Sequence, residues 1–185
     1  MNNGRNLQKH TIIALVEDRP GVLHRIASKC RQRGFNIESL AVGHSETAGL
    51  SRMTFVVDAD TNAEQLVRQL DKLIDIVDIR DISREEMVNR ELALIKVRSN
   101  TGNRSQIIEI ADIFRANIVD VWPDSLIVEV TGDEAKIDAI FALLKDFGII
   151  EMVRTGRVAL LRGSAASHPP PEEEHYERYP GQELW

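Results

Sequence analysis

Phe35–Asn36–Ile37 and Ala116–Asn117–Ile118 stand 81 residues apart, and each triplet ends one pattern and opens another. Before each lies a helical stripe of apolar residues; after each, a run with strand character begins. A repeat of whole units constrains the fold more than any single element, because each assignment is checked twice.

The first unit opens with Thr11–Val16 (TIIALV), a short buried strand. Asp18, Arg19, Pro20 and Gly21 interrupt it, and the spacing predicts a helix with Asp18 as its cap and Pro20 in its first turn. The helix buries Val22, Leu23, Ile26, Ala27 and Cys30 at three- and four-residue intervals, and Gly34 ends it in a left-handed cap. A strand runs from Asn36 toward His44, Thr47–Gly49 turns, and Ser51–Val57 is the next strand. Thr61 and Asn62 open a second helix with the stripe Ala63, Leu66, Val67, Leu70 and Leu73, and Ile76–Ile82 closes the unit as a strand.

The order then restarts. Leu92–Val97 is a strand and Ser105–Phe114 a helix; Ile118–Trp122 and Leu126–Val130 are strands around a Pro123–Asp124 turn. Asp133–Phe147 is a helix with Ile137, Ile140, Phe141 and Leu144 inward, and the last strand begins at Ile149–Val153. Each unit is βαββαβ, so the fold class is α+β with tandem ferredoxin-like units. Residues 8–83 form the first, 84–90 a polar linker (within SREEMVNR), and 91–163 a smaller second unit. Two helices on one face leave each sheet's other face bare, which calls for pairing with another unit, within the chain or in a dimer.

The chain has 43% hydrophobic but only 5% aromatic residues, so its core is aliphatic. The formal charge is -6, and residues 164–185 carry -4 of it through five Glu and one Arg. That proline-containing acidic tail, with Leu184 and Trp185 at its end, is expected to be disordered or loosely docked. No global basic field would draw nucleic acid, and the run Arg25, Lys29, Arg31, Arg33 lacks interleaved aromatics. There is no 18-residue apolar run and no signal-peptide pattern, so no membrane partner is expected and the cytoplasm is the expected location.

Enzyme chemistry finds little support. Cys30, the only cysteine, lies in an apolar stripe and reads as a buried thiol. His10, His24, His44, His168 and His175 have no metal-ligand spacing, so no metal or cofactor is expected in this chain. His44 and Glu46 would share a strand face; Asp58 and Asp60 precede a helix they could cap. The one glycine of TGNRS, Gly102, reads as a plain turn beside Arg104.

The sharpest local feature is Asp18–Arg19–Pro20–Gly21–Val22–Leu23. Free amides in a first helical turn, with the helix dipole behind them, can hold a carboxylate. Asn36 offers both a donor and an acceptor to the charged ends of an amino acid, and Val22, Leu23 and Ile37 could line an apolar pocket. A Pro–Gly pair that merely starts a helix explains the same residues, and from the residues alone both readings stand.

The string DRPGVLHRIASKCRQRGFNIESLAVGHSE, followed by LSRMTFVVD, resembles the small regulatory subunit of acetolactate synthase (acetohydroxyacid synthase). RELALIKV, FRANIVDVWPDSLIVEVTG and GRVALLRG resemble it in the second half, so the likeness covers roughly residues 8 to 163. It implies an N-terminal ACT domain and a C-terminal domain of similar topology. It also implies a non-catalytic subunit that activates a large catalytic subunit and confers feedback inhibition by valine. The large subunit would carry thiamine diphosphate, magnesium and flavin adenine dinucleotide (FAD). The resemblance places an effector site between two ACT domains of a homodimer, at Asp18, Gly21, Val22, Leu23, Asn36 and Ile37. Leucine or isoleucine stay open as effectors, since one methylene discriminates by only ~1–3 kcal/mol. A free-standing tandem ACT-like amino-acid sensor for another enzyme is the alternative.

Overall fold

The structure, a computed structural model, describes residues 8–59, 63–163 and 168. Thr61 and Asn62, expected to open the second helix, lie outside those residues, as does the expected tail apart from His168. The chain divides into two compact units, residues 1–88 with 157–185 and residues 89–156.

In the first unit the order is β1 (Gln8–Glu17), α1 (Val22–Gln32), β2 (Asn36–His44), β3 (Leu50–Ala59), α2 (Ala63–Leu70) and β4 (Ile76–Asp81). The antiparallel sheet runs β2-β3-β1-β4. Alternate residues of β1 and β3 (Ile12, Ala14 and Val16; Met53, Phe55 and Val57) meet Val22, Ile26 and Cys30 of α1 and Leu66 and Leu70 of α2 in one aliphatic core. Period-two burial in the strands and three- and four-residue spacing in the helices produce that match.

The second unit takes the same course through β5 (Met87–Arg98), α3 (Arg104–Ile113), β6 (Asn117–Val121), β7 (Ser125–Gly132), α4 (Glu134–Lys145) and β8 (Ile149–Arg154). Its order β6-β7-β5-β8 is the first sheet's permutation repeated. The repeat extends to irregularities. The register shifts between Leu15 and Val16 and between Ile37 and Ser39, and again 81 residues on, between Lys96 and Val97 and between Ile118 and Asp120. Gly34 ends α1 at φ 76°, as expected, and Arg115 ends α3 at φ 49° in the same place. Phe35 N–H reaches Cys30 O at 3.0 Å and Ala116 N–H reaches Ala111 O at 2.8 Å, the closing bond of a Schellman cap in both.

Several expectations need correction. Asp18 does not cap α1: Gly21 does, without a side-chain bond, and Pro20 precedes the helix. The backbone N–H of Asp18 instead donates to Gly49 O at 2.9 Å. The polar linker is short, because Met87–Arg90 already belong to β5, where half-buried Met87 and Asn89 alternate with exposed Val88 and Arg90. Leu23 is 46% exposed, and Phe141, expected inward, is only half-buried and outside the core of Ile137, Ile140 and Leu144.

A further strand, β9 (Val158–Leu161), pairs with β5, and its residues group with the first unit. Ala159 and Leu161 pack on Ile13 and Ile82, on the face of the first sheet that the helices leave open. Arg52 donates to Ala159 O at 3.2 Å, and Arg157 N–H donates to Ser39 Oγ at 2.9 Å. The expected bare face is thus covered in part by the chain's own closing segment.

Candidate functional site

The turn between β1 and α1 is held open by its glycine. Gly21 has φ 90° and ψ -10°, a left-handed conformation that side chains of L-residues disfavour. The first intrahelical hydrogen bond runs from Arg25 N–H to Gly21 O at 3.0 Å. The amides of Val22, Leu23 and His24 precede it and must be satisfied from outside the helix, at its electropositive end.

Beneath the turn lies Asp75, 1% exposed, in the segment between α2 and β4. Its backbone carbonyl accepts from Glu17 N–H at 2.9 Å, which fixes it beside the end of β1. Its Oδ1 accepts from Arg19 Nε at 2.9 Å and Nη2 at 2.6 Å, and its Oδ2 accepts from Arg25 Nε. Arg19 also pairs with Glu17 Oε2 at 2.7 Å. Arg25, with Arg19 beside it, holds the Asp75 carboxyl below the ordinary carboxylate range, against burial that pushes the other way. The guanidinium of Arg25 lies over Gly21, so a Cβ at position 21 would meet its Nη1 at 3.2 Å.

The six candidate residues fall into two groups. Asp18, Gly21, Val22 and Leu23 lie at the Leu50 end of β3, where Asp18 Oδ2 is 3.3 Å from His44 Nδ1. Val22 points into the core at 4% exposed, so Leu23 is the apolar side chain that this end presents. Asn36 pairs in register with Asp58 at the opposite end of β3. It shares an open depression with Ile37, Arg31 and Gly34 beyond the C-terminal end of α1. At ~3.4 Å per residue, the eight-residue step from Leu50 to Asp58 puts the groups roughly 27 Å apart. One unit does not bring them together.

Arrangements that suggest catalysis resolve otherwise. His10 Nδ1 lies 2.7 Å from Asp81 Oδ2, and the Ser83 hydroxyl donates to the same carboxylate. A hydrolytic triad needs the histidine between serine and acid; here the acid is central. Burial pushes the Cys30 thiol up to about 11, which leaves it protonated and inert. His44 pairs with Asp18, not Glu46, which accepts from Ser45 Oγ at 3.1 Å. Arg104 turns inward onto Ser99 Oγ and the carbonyls of Trp122 and Pro123, making TGNRS a structural turn. The basic run on α1 is not an open stripe, since Arg25 holds Asp75 and Arg33 donates to Gln69. Among the described residues no group of His, Cys, Asp and Glu could hold a metal, and no helix is long and apolar enough to cross a membrane.

Residues 12–78 match the model of the AHAS small subunit-like ACT domain, and residues 90–163 match that of the small subunit of acetolactate synthase. Together these take in both ferredoxin-like units. The chain belongs to the acetolactate synthase small subunit family. It is 53% identical over 155 residues to the acetolactate synthase small subunit of Mycobacterium bovis, covering 83% of this chain and 92% of that one. It is 52% identical over 157 residues to the probable acetolactate synthase small subunit of Archaeoglobus fulgidus, covering 84% and 98%. The crystal structure of the small subunit from Thermotoga maritima superposes with a TM-score of 0.80 at 38% identity, over 86% of this chain and all of that one. The N-terminal unit is therefore an ACT domain, and the chain is a regulatory small subunit of acetolactate synthase, not its catalytic one.

Arg19, Arg25 and Asp75 were not singled out as site residues by sequence reasoning. Arg25 reads as part of a solvated basic face, and Asp75 sits 50 residues away from it in an unremarkable LIDIVDI run. No local signal marks the pair.

Proposed function

We propose that this chain activates the large catalytic subunit of acetolactate synthase and confers feedback inhibition by valine, bound between two copies of its ACT domain. The supporting observation is the separation of the Gly21 turn from Asn36 within one unit. A site that uses both needs a second chain. The strand β2 lies at the edge of its sheet, and an unpaired edge is a template for another strand. Antiparallel pairing of two β2 strands about Leu40, the middle of Asn36–His44, would set Asn36 of the partner subunit opposite His44. His44 is the neighbour of Asp18 at the Gly21 turn. A two-fold dimer so built has two equivalent sites.

In that site the amides of α1's first turn receive the effector's carboxylate, Asn36 of the partner subunit meets its polar end, and Leu23 with Ile37 of the partner subunit surrounds the isopropyl group. Valine stabilises one arrangement of the dimer, and that arrangement disfavours the active state of the large subunit, a coupling that must be reciprocal in binding. The catalytic partner supplies thiamine diphosphate, magnesium and FAD; this chain's part is control. The assembly works in the cytoplasm.

Acetolactate formation by the cognate large subunit, with and without this chain and across a valine titration, tests the whole reading. A rate that rises on adding the chain and falls with valine is the expected result. No activation by folded protein would overturn the partner assignment and favour a free-standing sensor. Asn36→Ala should weaken valine binding by about 1–3 kcal/mol, the cost of a lost buried polar contact. Calorimetric titration measures it, and unchanged affinity would remove Asn36 from the site.

A further inference from the structure

We propose that Arg25 is the counter-charge for the effector's carboxylate and that Asp75 is the positioning residue that holds it there. The inference rests on the reading of the Gly21 turn as an effector site and adds a side-chain cation to its backbone amides.

The geometry of the guanidinium carries the argument. Asp75 grips Arg25 through Nε alone. Nη1 and Nη2 make no hydrogen bond among the described residues, and they lie 3.2 and 4.0 Å from where a Cβ on Gly21 would stand. Two donor nitrogens thus lie over Gly21, the residue that opens the helix, on a side chain that is 42% exposed and open to a ligand. Arg19 spans Glu17 and the other oxygen of Asp75, and the Asp18 carboxylate at the same turn faces His44. A planar guanidinium with a free edge is suited to a carboxylate. Glycine at position 21 then keeps room for this cation as much as for the turn.

The second unit serves as an internal control. It has the same permutation of strands and the same register shifts, yet it lacks every part of this device. Gly102 stands 81 residues after Gly21 and is not left-handed. Gln106 stands in the place of Arg25. Gly148 O accepts from Arg98 N–H at 2.9 Å, as Asp75 O accepts from Glu17 N–H, so a glycine occupies the position of Asp75. The fold forms without the clamp. What the clamp adds is found only in the unit with the open, left-handed turn.

The test is calorimetry on the full chain with L-valine and L-valinamide, whose carboxylate is replaced by a neutral amide. The wild type should prefer valine strongly. Arg25→Gln should weaken valine about 10- to 100-fold, the range for a hydrogen bond to a charged group, and leave valinamide nearly unchanged. Arg25→Lys should restore part of the preference, and Asp75→Asn should reduce it with both arginines still present. Thermal unfolding and sedimentation would confirm folded dimers throughout. A merely structural salt bridge would lower both affinities together, so an unchanged valine-to-valinamide ratio in Arg25→Gln overturns the proposal while the effector reading stands. Wild-type chain that binds none of valine, leucine and isoleucine overturns both.

Discussion

Replacing Gly21 by Asp should abolish valine inhibition while leaving activation of the large subunit largely intact. Residue 21 has φ 90°, a conformation that costs most L-residues roughly 1–2 kcal/mol but which aspartate tolerates better than most. The unit should therefore fold. The new carboxylate would start at a Cβ only 3.2 Å from Arg25 Nη1, and would occupy both the cation and the neighbouring amides. An effector carboxylate would meet a like charge with its partners already taken. Enzyme assays with a valine titration measure both halves, and full valine sensitivity in a folded Gly21→Asp chain would sink the site assignment.

The same variant tests whether the site is shared between chains. Mixed with Asn36→Ala chains, it should regain part of its valine inhibition. In such a heterodimer one site carries both defects, and the other combines an intact Gly21 turn with an intact Asn36. If each site lay within one chain, mixing would restore nothing.

Phe55→Ala should destabilise the ACT unit by about 3–5 kcal/mol, the usual cost of removing a large buried aromatic. Phe55 is fully buried in the middle of β3, opposite Ile12 of β1 and Leu40 of β2. It is the floor under the edge strand proposed to carry the dimer contact. The second unit has its own core of Ile95, Val128, Ile140 and their neighbours. Calorimetry should accordingly show an early transition for the first unit and a later one for the second. Given typical stabilities of about 5–15 kcal/mol, the early transition would fall close to working temperature. A single transition at the wild-type temperature would mean that the core tolerates the loss. Dimerisation should weaken in parallel, since β2 loses its support.

The fold was legible because its signals are local and come in pairs. Apolar period and the strand start at Asn36 recur after 81 residues, and the register shifts at Ile37 and Ile118 keep the same spacing, whereas the cap signalled by Gly34 is taken by Arg115 in the second unit. β9 escaped notice because VALL has no counterpart in the first unit and gains its meaning only from Ile13 and Ile82. Met87–Arg90 reads as linker because Asn89 and Arg90 continue the polar run of Arg84–Glu86, and its alternation of half-buried and exposed residues shows only in the structure. At the site, the Gly21 turn was legible as a motif, but its conformation was not. Gly21 and Gly102 hold the same place in the repeat, and backbone geometry shows that Gly21 alone of the two is left-handed. Asp75 was invisible for another reason: its meaning depends on two arginines brought to it by the closure of β1 against β4. Family resemblance supplied the six site residues as one set, and the register then distributed them to two ends of a unit.

Divergence between the duplicated turns also fixes how many effector molecules such an assembly can take up. Two chains contain four ferredoxin-like units, but only the two first units have a left-handed glycine and an arginine in place. Saturation should therefore come at one valine per chain. Because both sites would straddle the same pair of edge strands, filling the first would order the frame of the second, and the titration should be steeper than that of two independent sites.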